Sequence, residues 1–185
     1  AAALLLTSQG HVMIHQGQEF SNSKLIESTT PNDKSSSVKI DDNSYNKDNS
    51  TNWINYRRKK INSDVFQFYQ SLISLRNQYP MFFGSASLEN ISFFDAVDDY
   101  SLAISVKNPM LSAKTPFTML FLCNVHPQKQ RTFSLPHGNW ALIMNGERVM
   151  PLNSTKVINT KITLPHQSSI ILFSDHIFNS KNLDH

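Results

Sequence analysis

Few residues in this sequence stand at spacings that could do chemistry. His11, His15 and Glu19 fall at i, i+4 and i+8. On a helix that spacing would put three metal-ligand side chains on one face. Gly10 and Gly17 bracket Val12-Met13-Ile14, however, and this pattern predicts a short buried strand. On a strand, eight residues span about 26 Å, too far for one ion, so no metal site is expected. His15 is then expected to be buried against a hydrogen-bonding partner. Glu19, just after Gly17-Gln18, reads as a structural ion-pair partner rather than a catalytic carboxylate. Ser8, Cys123 and the remaining histidines form no nucleophile motif. His126, His137 and His166 each adjoin a proline and read as turn residues. Asn49-Ser50-Thr51, Asn90-Ile91-Ser92 and Asn153-Ser154-Thr155 fit the glycosylation acceptor pattern, as chance alone would produce in so Asn-rich and Ser-rich a chain.

Composition narrows the classes further. Twelve Phe, five Tyr and two Trp in 185 residues are too many aromatics for a wholly disordered chain. With Cys123 as the single cysteine, no disulfide can form within the chain. The net charge is only +3, and the basic block Arg57-Arg58-Lys59-Lys60 lacks interleaved aromatics. It reads as a solvated loop or helix lead-in, and no nucleic-acid partner is expected. The apolar opening Ala1–Leu6 is far shorter than the roughly 20 residues of a membrane span, so no membrane partner is expected either. No cofactor is implied. The compartment stays open, with cytoplasm slightly favoured over secretion. The opening has no Met and no basic residue before its apolar stretch, which suggests a sequence that starts inside a domain.

Three zones must position whatever the chain does. Residues 1–20 are dense and apolar, and read as the tail of a helix, a turn and the strand Val12–Ile14. Residues 21–62 are dominated by Ser, Asn, Asp, Lys and Thr. From Ser28 to Ser37 no apolar side chain is larger than proline, so burial there cannot offset ordering entropy. A long loop is expected, with Tyr45, Trp53, Ile54 and Tyr56 packing its second half on something. A helix follows, capped by Asp64 and stopped by Pro80, with Phe68, Leu72, Leu75 and Tyr79 on one face. From Ser85 onward, seven short apolar runs alternate with turns: Ile91–Phe94, Leu102–Val106, Thr118–Leu122, Arg131–Leu135, Ala141–Met144, Val157–Leu164 and Ile170–Phe173. Asn145-Gly146 is the strongest hairpin signal among the turns. The spacing predicts a β-sandwich, with a polar tail that frays after Asp175.

Three ordered blocks then carry a resemblance. The first is Leu5-Leu6-Thr7-Ser8-Gln9-Gly10, continuing through Ile14-His15 to Gly17-Gln18-Glu19-Phe20. It resembles the last barrel strand of the α-amylase superfamily, glycoside hydrolase family 13, in its pullulanase branch of type I debranching enzymes. The second is Asn43-Ser44-Tyr45-Asn46 with Asn52 and Ile54, similar to the loop after that strand. The third, Val65-Phe66, Tyr69, Leu72-Ile73, Leu75-Arg76, Pro80 and Phe82, resembles the final barrel helix and its exit. The chain departs from the family pattern at Val12, where Pro is usual, and at Asn49 and Asn55, where Asp is usual. The insert between Glu27 and Ile40 is also atypical.

The resemblance implies an α/β plus all-β fold: the C-terminal end of a (β/α)8 TIM barrel over residues 1–84, then an antiparallel β-sandwich domain over 85–185. It implies a hydrolase that cleaves α-1,6-glucosidic branches of pullulan, starch or glycogen with retention. Such chemistry needs two carboxyl groups about 5–5.5 Å apart, contributed by earlier barrel strands. None of the 14 acidic residues here occupies a catalytic motif, so no catalytic residue is assigned and this chain alone is expected to be inactive. The partners implied are the α-glucan and the N-terminal part of the barrel. Tyr45, Asn46 and Asn49 would shape the glucan cleft. Tyr45 would either stack on a sugar ring or anchor the loop on the barrel rim. His15 and Glu19 would support the cleft floor from behind. Rival readings are another enzyme of the superfamily (amylase, isoamylase or branching enzyme) and a non-catalytic carbohydrate-binding or structural sandwich, for which Trp140 would be the exposed aromatic platform.

Overall fold

The structure is a computed structural model that describes residues 1–26, 39–41, 44–84, 87–95, 98–109, 118–151 and 157–174. The readings made on Ser28–Ser37, Asn43, Asn153-Ser154-Thr155 and the tail after Asp175 lie outside the described residues. The chain forms two compact units, one of residues 1–12 with 70–185 and one of residues 13–69.

The larger unit is built on antiparallel sheets. Among the described residues, β3 (Ile91–Phe93), β4 (Ser101–Lys107), β5 (Thr118–Asn124), β7 (Trp140–Met144), β8 (Val157–Ile158) and β10 (Ser168–Ser174) form one sheet in the order β3-β4-β5-β10-β7-β8. A second sheet pairs β6 (Arg131–Ser134) with β9 (Lys161–Leu164). The seven apolar runs thus all become strands, and Val157–Leu164 divides into two. The break falls at Asn159-Thr160, where the Thr160 carbonyl accepts from the Leu135 amide at 2.8 Å.

The two central strands explain why their runs are continuously apolar. Leu120 and Leu122 of β5 and Ile170 and Leu172 of β10 face the second sheet, where they share a core with Phe133, Trp140 and Leu164. The alternate residues Met119, Phe121, Ile171 and Phe173 are equally buried on the other face. A strand covered on both faces has no polar side to show. Helices cover that other face: Tyr79 lies edge-on to Phe173 with ring centroids 4.9 Å apart, and Phe82 lies 5.2 Å from the same ring. Trp140 is 5% exposed and donates its indole N–H to the Pro136 carbonyl at 3.0 Å. It is a core residue, which removes it as a carbohydrate platform.

The helices of this unit are α1 (Ala2–Thr7), the second half of α3 (Ser63–Gln78) and α4 (Pro80–Phe83). The basic block forms α2 (Arg57–Ile61), which belongs to the smaller unit. The start of α3 differs from expectation. The Asn62 carbonyl accepts the Phe66 amide at 3.1 Å, so the helix begins before Asp64, which sits in the first turn where its charge suits the helix dipole. The helix does end ahead of Pro80, and that proline opens α4, where its missing N–H costs nothing. Leu72, Leu75 and Tyr79 are buried as the face predicts, with Tyr69 joining them and Phe68 only half-buried.

Arg76 gathers the start of the chain. Its Nη1 donates to the carbonyls of Leu6 at 2.9 Å and Ser8 at 2.7 Å. Its Nη2 donates to Phe83 at 3.1 Å and also to Gly10, and the guanidinium lies over the Phe83 ring. Burial pulls the guanidinium below its ordinary pKa.

The strand expected at Val12–Ile14 is absent. Residues 11–15 have no regular structure, and Met13 is 87% exposed. A barrel strand is held by ladder hydrogen bonds to neighbours on both sides. No strand among the described residues flanks this segment. The described residues therefore contain no TIM barrel, and their structure is mostly antiparallel sheet.

In the smaller unit, β1 (Leu25–Ile26) pairs antiparallel with β2 (Lys39–Ile40), so the described ends of the atypical insert meet as a ribbon. Gly17 has φ +91°, and a Cβ there would stand 2.7 Å from Asn22 Cβ. Only glycine fits that turn.

Candidate functional site

The loop expected to meet substrate is organised around one carboxylate. Asp41 is buried, and its Oδ1 accepts from Lys47 Nζ at 2.8 Å while Oδ2 accepts from Asn52 Nδ2 at 3.1 Å. The Lys47 hydrogen bond, followed by that of Asn52, holds the Asp41 carboxyl below the usual carboxylate range. The Asp41 amide donates to the Lys24 carbonyl at 2.9 Å, and Lys24 Nζ donates to Ser44 Oγ at 2.6 Å. Ion pair and ribbon end therefore fix both sides of the loop.

Asn49 belongs to the same network. Its Oδ1 accepts from Asn52 Nδ2 at 2.8 Å and from the Asn52 amide at 3.2 Å, an Asx turn that closes residues 49–52. Asn52 Oδ1 and Ser23 Oγ are buried without a hydrogen-bond partner among the described residues. Tyr45 is 88% exposed and Asn46 is also exposed. The loop aromatics expected to pack do so only in part. Trp53 fixes its edge through Nε1, which donates to Asp48 Oδ1 at 2.6 Å, yet its ring is 62% exposed. Tyr56 lies 5.9 Å from Phe20 and remains largely exposed.

The two residues expected behind the loop diverge. Glu19 Oε2 accepts the Gly17 amide at 2.9 Å, a local turn contact rather than an ion pair. His15 is exposed, with Nδ1 3.1 Å from the Gln16 carbonyl, and is not the buried histidine the strand reading requires. Without a strand there is no face to bury it. Gln18 is the better anchored neighbour: its Oε1 accepts the His15 amide at 3.2 Å and its Nε2 donates to Tyr69 Oη at 3.0 Å.

Sequence reasoning singles out Tyr45, Asn46 and Asn49 but misses Asp41, Lys47 and Asn52 as the frame and Trp53 as a second open ring. The signal for the first three was faint, because a carboxylate and its cation six residues apart in a polar loop look like solvated charge. Together the loop presents two open aromatic faces beside amides and hydroxyls held in place. That arrangement suits stacking and hydrogen bonding to a polyol. Among the described residues it holds no acid/base pair with an oriented nucleophile.

By its described residues the larger unit is a mostly antiparallel sheet domain backed by short helices. No family model matches the sequence. Among solved structures it is similar to the C-terminal region of type I pullulanases. The pullulanase from Bacillus acidopullulyticus matches over 94% of this chain at 26% identity with a TM-score of 0.73. The type I pullulanase from Bacillus subtilis str. 168, complexed with maltose, matches over 94% at 18% identity and a TM-score of 0.72. The pullulanase from Anoxybacillus sp. LM18-11, complexed with maltotetraose, matches over 94% at 18% identity and 0.68. This chain spans 20% of the first of these proteins and 22% of the other two.

Proposed function

We propose that this chain is the C-terminal portion of a pullulanase-type glycoside hydrolase that cleaves α-1,6-glucosidic branches of pullulan, starch or glycogen. Residues 1–84 would complete its barrel and 85–185 would form the β domain behind it. The observation that carries the reading is the 26% identity to a pullulanase over 94% of the chain. The catalytic carboxylates would come from the rest of the barrel, as barrel sites draw on several strand ends. This chain would contribute the rim loop. Tyr45 would offer a ring face to a glucosyl unit, with Asn46 and Asn49 bonding hydroxyls. Asn49 would act with one oxygen already committed to Asn52, so its free amide is the group left for sugar. His15 and Glu19 would lie behind the loop, Glu19 through the Gly17 turn.

The test is to read the coding sequence that precedes Ala1 and to express the longer product. The expected result is an open frame that encodes the acid/base and nucleophilic carboxyl groups on barrel strands, and a protein that releases linear glucans from pullulan. A stop codon there, or a longer product that leaves pullulan intact, overturns the reading.

A further inference from the structure

The β domain carries a pocket, lined by charged and polar side chains, that the rim-loop reading does not use. It has a volume of about 330 Å³ and is lined by Asp98, His126, Lys129 and Arg131 among others. We propose that this pocket binds one glucosyl ring of an α-glucan, with the His126 imidazole in its wall and the Tyr100 ring packed on that imidazole. The polyol chemistry stands on the pocket itself, and the choice of α-glucan rests on the function proposed above.

Arg131 stands between two carboxylates without closing on either. Arg131 Nη1 lies 3.9 Å from Asp98 Oδ2, and Nη2 lies 4.0 Å from Asp95 Oδ1. A closed pair would sit at about 2.8 Å. The guanidinium is nevertheless held still. Nη2 donates to the Asp95 carbonyl at 2.9 Å, and the group lies over the Phe133 ring. Its Nε is buried without a partner among the described residues, so the hydrogen-bonding capacity of this arginine is under-used. Asp98 is fixed as well, because its Oδ1 accepts the Tyr100 amide at 3.0 Å. Asp98 Oδ2 and Arg131 Nη1 thus form an acceptor and a donor set apart by rigid supports.

A hydroxyl both donates and accepts, so a sugar diol can bridge that gap, donating to Asp98 and accepting from Arg131. The charges favour a neutral ligand. Lys129 and Arg131 balance Asp95 and Asp98, so an anion meets the carboxylates and a cation meets the bases. An aromatic wall stands alongside. The Tyr100 ring is 48% exposed and packs on His126 with centroids 4.9 Å apart. His126 cannot swing away, since its Nδ1 accepts the amides of Gln128 at 3.0 Å and Lys129 at 2.9 Å. An open ring beside fixed donors and acceptors is the chemistry that holds a pyranose.

The experiment is a titration of the full 185-residue chain, labelled with ¹⁵N, by maltotetraose, cellotetraose and sodium sulfate. Maltotetraose is expected to shift the amides of residues 98–101 and 126–131 saturably, with a dissociation constant of about 1–10 mM. Tyr100→Ala and Asp98→Asn should each weaken that response by about tenfold, while Tyr100→Phe retains it. Thermal unfolding of each variant confirms that it still folds. The absence of saturable shifts overturns the site, as does a response to sulfate in place of sugar. Shifts confined to residues 44–56 overturn this site and leave the rim-loop reading standing. A response to cellotetraose alone overturns the α-glucan assignment. Failure of the longer product to cleave pullulan bears on the proposed hydrolysis and leaves the titration result untouched.

Discussion

At the scale of single residues, two polar side chains hold places that apolar patterning cannot reveal. Asn124 ends β5 and is 1% exposed. Its Nδ2 donates to the carbonyls of Lys129 at 2.9 Å and Pro165 at 2.9 Å, and its Oδ1 accepts the His126 amide at 3.1 Å. The side chain therefore replaces backbone partners for two turns at once. Asn124→Ala would leave these part-buried groups without their partner, at a cost of about 1–2 kcal/mol in chemical denaturation. A loss under about 0.5 kcal/mol would mean that water takes over the bonds. Arg76 does comparable work for the first ten residues, with its fork spread over four carbonyls. Arg76→Lys keeps the charge but has no fork, so it should cost about 1–3 kcal/mol, and hydrogen exchange of the Leu6–Gly10 segment should speed up. Equal exchange in both proteins would show that α1 stays in place without the arginine. Neither role was legible from the sequence, because each depends on carbonyls far along the chain, Pro165 for Asn124 and Leu6, Ser8 and Gly10 for Arg76.

At the scale of elements, legibility followed burial. The strands were readable because β5 and β10 are covered on both faces, so their apolar runs are continuous, and turn residues bound each run. Helix α3 was readable from its i, i+4, i+7 face. The strand at Val12–Ile14 failed for the opposite reason. A three-residue apolar run marks a strand only if a partner supplies the ladder, and no partner flanks it among the described residues. The loop that holds Asp41 was legible as a loop, and its residues Tyr45, Asn46 and Asn49 as candidates, but its internal frame was not. That frame has a pH signature. The Asp41 carboxyl titrates below its ordinary value, chiefly through the Lys47 hydrogen bond. A depressed folded pKa stabilises the loop above the unfolded value near 3.9, and this contribution is lost as pH falls through the folded pKa. Amides of residues 44–53 should therefore lose exchange protection below about pH 4, and Asp41→Asn should remove that pH dependence. An identical pH profile in the variant would assign the change to another group.

At the scale of the whole molecule, the two units differ in what they leave in water. Within residues 13–69 the structure exposes Met13, Leu25, Ile26, Ile40, Tyr45, Trp53, Tyr56 and Ile61. A unit of that size with so much apolar surface gains little from its own burial. In the larger unit, Phe121, Phe133, Leu172 and Phe173 are fully enclosed, which is where the stability of the chain should reside. The sequence hinted at this asymmetry, since residues 21–62 are polar with a few stranded aromatics. It did not show that those aromatics stay open. Limited proteolysis reads the difference directly. Chymotrypsin should cut at Tyr45, Trp53 and Tyr56 before any site in 118–174, because cleavage tracks local opening. Under the proposed function the missing barrel would cover part of this surface, so the same sites should become slower to cut in the longer product. The 185-residue chain itself should release no sugar from pullulan. Cleavage at equal rates in both units would contradict the division of stability, and unchanged cleavage at Tyr45, Trp53 and Tyr56 in the longer product would show that the barrel does not cover them.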